Sequence, residues 1–212
     1  MIDMNNTNPI IGDPSMVSVI QFAQTRDTLM DTEIYSKFIY SAENSFRRSR
    51  FYKDYKANIM NRGLNFDELI RGITSEQADI DLHHHLPTLN MASIMICEHL
   101  LNTVGKVTTF DIVEALEEAH RCNMINVIML SETMHQAYHQ DATAFLSITQ
   151  GYGNPFLFLD KYKDGLTLDI SFKWLLQLKL EEQFGGKSTW LNIPKQREIL
   201  LNWQENAGPI NY

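Results

Sequence analysis

The sequence predicts an α+β fold that is mostly helical. Three observations carry this. Apolar residues recur three and four apart over most of the 212 residues. Two short stretches break that rhythm, one alternating polar and apolar around Asp81 and one continuously apolar from Ile125 to Leu130. Apolar content of 44% suffices for a core, and 21% charged residues is ordinary for a globular chain.

In order, residues 1–16 carry Asn, Pro, Gly and Asp and are expected as a loose tail. Val17, Ile20, Phe22, Leu29, Ile34 and Phe38 predict a helix over 17–42. A basic helix continues over 44–61, with Phe46, Tyr52 and Tyr55 inward, and stops at Asn61-Arg62-Gly63. Residues 79–85 are expected to be extended, with Asp79, Asp81 and His83 on one face and Ile80, Leu82 and His84 on the other, ended by Pro87. Two amphipathic helices over 90–103 and 109–122 flank Gly105-Lys106, the second capped by Thr108 or Thr109. A short strand over 125–130 leads to Ser131, the N-cap of a helix over 132–144. A loop at Gly151–Pro155, a helix at 155–162, a turn at Lys163-Asp164-Gly165 and a helix at 171–184 follow, with a last helix over 194–205. Trp174, Trp190 and Trp203 read as core, and His99 and His120 as exposed or capping residues.

Composition narrows function. No run of about 18 apolar residues occurs, so no membrane span is expected, and the first residues lack the pattern of a secretory signal. Cys97 and Cys122 form no CxxC pair, which argues against a disulfide framework or a cysteine-rich zinc site and makes the cytoplasm the expected compartment. The net charge is −8, a poor balance for a nucleic-acid binder. Phe46 to Arg62 is the exception, with Arg47, Arg48, Arg50, Lys53, Lys56 and Arg62 against Asp54, a local net of +5. This is either a solvated helix face or a phosphate-binding one, with Arg47, Arg48 and Arg50 the candidates for a DNA backbone. The acidic remainder could serve a protein partner.

Five of the seven histidines lie in Asp81-Leu82-His83-His84-His85-Leu86-Pro87 and in the stretch from Asn126 to His139. His135 and His139, four apart on a helix, share a face and can grip one metal. A third ligand is usual in a catalytic site, and His83 or His84 can supply it. Being adjacent on a strand, these two point to opposite faces.

The pattern resembles the HNH (His-Me finger) endonucleases, and most of all the colicin-type DNase domains. Its carriers are Asp81-Leu82-His83-His84 with Pro87, then Asn126, Leu130, His135 and His139 in register. The resemblance covers residues 79–87 and 125–140, and a likeness to phage-encoded proteins of this type runs from Thr109 to His139. It implies a ββα-metal core that hydrolyses DNA phosphodiesters. His83, His135 and His139 would bind a divalent metal (Zn, Ni, Co, Mn or Mg, the last suiting imidazoles least), and His84 would be the general base. Asn126 would pin the loop that orients the base, and Asp81 would support the site. His85 is unusual after the base position, so the roles of His83, His84 and His85 stay open by one residue. Ser131 and Met134 stand where many relatives carry structural zinc cysteines. The implied organisation is a tail (1–16), an N-terminal helical segment (17–63), an HNH-like core (64–145) with a helical insertion (88–124), and a C-terminal helical segment (146–212). In a phage-encoded case the compartment would be the host cytoplasm. The alternative is a non-catalytic phage accessory or assembly protein on a degenerate HNH scaffold.

Overall fold

The computed structural model describes residues 23–70, 72–140, 145–185, 197–198 and 200–202. The expected tail, residues 17–22 of the first helix, 141–144, Trp190, Trp203 and most of the helix over 194–205 lie outside them.

The fold is α+β and mostly helical, as the periodicities predict. A two-residue strand β1 (Gln24–Thr25) and a single 3-10 turn (Asp27–Leu29) precede α1 (Thr32–Arg48). The Asp31 carboxylate caps α1 by accepting from the Glu33 and Ile34 amides. The helix expected over 44–61 is split. Ser49 takes an extended conformation, and its hydroxyl caps α2 (Arg50–Asn61) by accepting from the Tyr52 amide. Next, β2 (Ile80–Leu86) runs into α3 (Leu89–Thr103), capped by Thr88. Strand β3 (Lys106–Val107) pairs antiparallel with β1. Thr108 and Asp111 form a reciprocal capping box for α4 (Thr109–Arg121). Strand β4 (Asn126–Ser131) leads directly into α5 (Glu132–Gln140). Helix α6 (Pro155–Lys161), a 3-10 turn at Lys163–Gly165 and α7 (Leu168–Phe184) follow, and the described residues of the helix expected over 194–205 are helical, with Leu200 in the core.

Strands β2 and β4 pair antiparallel across the helical insertion, and α5 follows, so the unit is ββα. Its register assigns the faces, because cross-strand partners share one. Asp81 lies opposite Leu130 and His83 opposite Ile128. Ile128 and Leu130 pack with Leu146 beside Met134 and Tyr138 of α5. On the other face Leu82 pairs with Met129 and His84 with Val127. Ile80, Leu82, Val127 and Met129 enter the main core, which gathers Phe46, Met95, Leu116 and Trp174. Between His84 and Leu86 the register slips at a β-bulge, and His85 is the extra residue.

Among the described residues no helix is long and apolar enough to cross a membrane.

Candidate metal centre

Strand alternation and the helical repeat together build a histidine triad. His83 points from β2 toward α5, and His135 and His139 stand one turn apart on α5. One ring nitrogen from each of the three lies within 4.8 Å of the others. His135 and His139 approach Nε2 to Nε2 at 3.1 Å. Ring centroids of His83 lie 4.9 Å from His135 and 5.3 Å from His139. His83 is buried, His135 half-buried and His139 exposed, so the triad opens to solvent on one side. Tetrahedral ligands at about 2.1 Å from zinc would sit about 3.4 Å apart, within reach of these side chains by small rotations.

The surroundings suit a cation. Asp81 Oδ2 lies 3.7 Å from His135 Nδ1, which leaves Nε2 for a metal. Asp81 Oδ1 accepts from Lys56 Nζ at 3.0 Å. Burial raises the Asp81 pKa, but the Lys56 hydrogen bond and charge, with His135, outweigh it and hold the carboxyl below its ordinary value. Burial and the adjoining imidazoles of His135, His85 and His139 pull His83 down to about 3. Burial also lowers His135, helped by His139 and opposed by Asp81. His83 and His135 are therefore neutral imidazoles with lone pairs to donate, as metal binding requires.

His84 is elsewhere, and the expectation that it works at the metal is corrected. It faces the main core, where its ring stacks on Tyr52 at 5.8 Å. Its Nε2 meets His120 Nε2 at 3.0 Å. His120 Nδ1–H donates to the Leu116 carbonyl at 2.7 Å, so His120 Nε2 is the acceptor and His84 Nε2–H the donor. The cause is strand geometry: a residue adjacent to His83 must face the opposite way.

His85, at the bulge, returns to the triad's side, its ring centroid 6.3 Å from that of His83. Gln177 Nε2 of α7 lies 3.3 Å from its Nε2. Gln177 also donates to the Leu146 carbonyl and to Glu181 Oε1. Glu181, buried, accepts from Ser147 Oγ at 2.8 Å and from the Ile148 amide.

Asn126 is buried at the start of β4. Its amide donates to the Ile148 and Gly153 carbonyls at 3.0 and 3.1 Å. It therefore pins the loop at 148–153, and a Cβ on Gly151 would collide with it. Arg47, Arg48 and Arg50 are exposed where α1 meets α2, and Arg47's charge reaches His135.

Sequence reasoning missed three residues. His120, expected as an exposed or capping residue, is fully buried and bonds the Leu116 carbonyl in the last turn of α4. Asp67 is buried and accepts from the Leu69, Ile70 and Ser131 amides, clamping the junction of β4 and α5. Glu181 sits buried inside α7 beside the exposed Glu182, and no local signal tells the two apart.

Comparison with known proteins gives one finding. The family model described as Bacteriophage G278-like virion protein matches residues 14–192. No curated protein and no solved structure matches the chain.

Proposed function

The chain belongs to the bacteriophage G278-like virion proteins, and we propose that it serves there as a non-catalytic component whose ββα unit is fastened by one divalent metal. The convergence of His83, His135 and His139 carries this reading. Helix α5 has nine residues and no fully buried side chain. So short a helix is marginal alone, and little apolar packing holds it. A metal shared between β2 and α5 would supply the missing attachment, since metal binding free energy is folding free energy. Three imidazoles favour Zn²⁺, Ni²⁺, Co²⁺ or Mn²⁺ over Mg²⁺. The absence of His84 from the triad's face supports a role without catalysis.

A second reading, metal-dependent hydrolysis of DNA phosphodiesters, is favoured by one observation: the triad is open beside the exposed His139. Three protein ligands and a free position are the hallmark of a hydrolytic metal. On this reading His85 is the imidazole available as base, because it shares the triad's face.

Supercoiled plasmid incubated with Mg²⁺, Mn²⁺, Ni²⁺ or Zn²⁺, against an EDTA control, separates the two. No nicking above the control, with the protein present in purified particles by mass spectrometry, supports the first. Metal-dependent nicking abolished by His135→Ala overturns it in favour of the second.

A further inference from the structure

Charge is segregated in this acidic protein. The stretch 46–62 carries +5, so the rest of the chain, within a total of −8, carries −13. Outward positions of α2 are 50, 53, 54, 57, 58 and 61, a three-and-four spacing that puts Arg50 and Lys53 on its solvent face. Arg47 and Arg48 are exposed in the last turn of α1. Phe46 and Ile59 are buried, and Tyr52 and Tyr55 half-buried against the core, which holds the cations outward.

Few carboxylates answer these charges. Arg50 lies 3.4 Å from Asp54, and Lys56 pairs with Asp81. Arg47, Arg48, Lys53 and Arg62 have no carboxylate within 4 Å among the described residues. Arg47 and Lys56 bring part of this surface toward the triad. Along α2 from Phe51 to Arg62 runs a cleft of about 370 Å³, also lined by Tyr152 and by Arg121, which pairs with Glu117. At 1.5 Å per residue α2 spans about 18 Å.

We infer that this surface docks on the phosphate backbone of duplex DNA, a reading that rests on virion membership only for the supply of DNA. Duplex DNA carries a negative charge for about every 1.7 Å of axis, so a cationic row of this length meets several phosphates. Guanidinium groups match phosphate oxygens in pairs. The other exposed residues on this face of α2, Asp54, Ala57, Asn58 and Asn61, include no large apolar side chain. That face thus lacks the aromatic centre enriched in protein interfaces, whereas phosphate contacts need only cations and polar groups.

The test is fluorescence anisotropy of a labelled DNA duplex in EDTA across a salt series. The whole protein is compared with R48A/K53A/R62A and with a charge-loss control, K37A/K173A, whose lysines pair with Glu33 and Asp169. Wild type and control should bind with a steep salt dependence. The triple variant should bind at least about tenfold more weakly, with a log–log salt slope shallower by about three. No binding by wild type at low salt, equal binding by the triple variant, or competition by polyglutamate as effective as by unlabelled DNA would each overturn the inference. Because EDTA removes metal, failure of the metal reading leaves this test standing, and the reverse holds too.

Discussion

His84 and His120 meet Nε2 to Nε2 at 3.0 Å, on the face of β2 that points away from the triad. Burial drives His120 down to about 4 and His84 well below its ordinary value. Both are thus neutral in the folded protein, while in the unfolded chain they titrate near 6.5. Between about pH 6.5 and 4 the unfolded state binds more protons. Stability is therefore full above that window and falls as pH drops through it, by up to about 1.4 kcal/mol per pH unit for each histidine. Urea unfolding in EDTA at pH 7, 6 and 5 should show the decline. H84F/H120F, which replaces both partners by rings of similar shape, should remove their share of the decline and leave the share of His83 and His85, which burial also holds low; an unchanged pH slope would count against a neutral buried pair.

Removing His84 alone separates packing from metal binding. His84→Ala leaves a cavity beside Tyr52 and strips His120 Nε2 of its donor. The expected cost is about 2–4 kcal/mol in urea unfolding. Metal affinity by calorimetry should stay within about threefold of wild type, because opposite strand faces separate His84 from the triad. A large loss of affinity at full fold would place His84 back at the metal.

Asn126→Ala removes two hydrogen bonds to the 148–153 loop. The half-buried Gly153 carbonyl loses this donor and the buried Ile148 carbonyl is left with the Gly151 amide alone, at an expected cost of about 1–2 kcal/mol in chemical denaturation. Metal binding should persist, since none of the three triad histidines lies in that loop. Loss of metal with little loss of stability would contradict this assignment.

Asp67→Ala should act at a distance. The Ser131 amide, at the entry to α5, would lose its 2.7 Å acceptor, and Leu69 and Ile70 would lose theirs. Stability should fall by about 2–3 kcal/mol, and hydrogen exchange in α5 should speed up more than in α7. Equal acceleration in both helices would mean that Asp67 serves the whole fold rather than this junction.

The parts of the site that were legible in the sequence follow local repeats. His135 and His139 share a helix face because they are four apart, and Asp81 and His83 share a strand face because they are two apart. The opposite orientation of His84 was equally legible, but the resemblance, which covers a tenth of the chain, argued for a base there. What failed depends on distant partners. His120 is buried only because Phe46, Phe51 and Tyr55 close over it, with Phe46 4.7 Å from its ring. The bulge at His85 is set by how β2 registers with a strand some 40 residues later. The break at Ser49 hides in an unbroken apolar rhythm, because a serine cap differs from a helical serine only in its backbone angles.

The most direct measurement is calorimetric titration of the metal-free protein with Zn²⁺ and Ni²⁺, paired with thermal melts of wild type, His135→Ala and His139→Ala. The account expects one ion per chain, a melting temperature that rises with metal, and loss of both in either variant while the metal-free melts stay close to wild type. No binding by a folded wild-type chain, or binding and stabilisation unaffected by both substitutions, would contradict a metal centre at His83, His135 and His139.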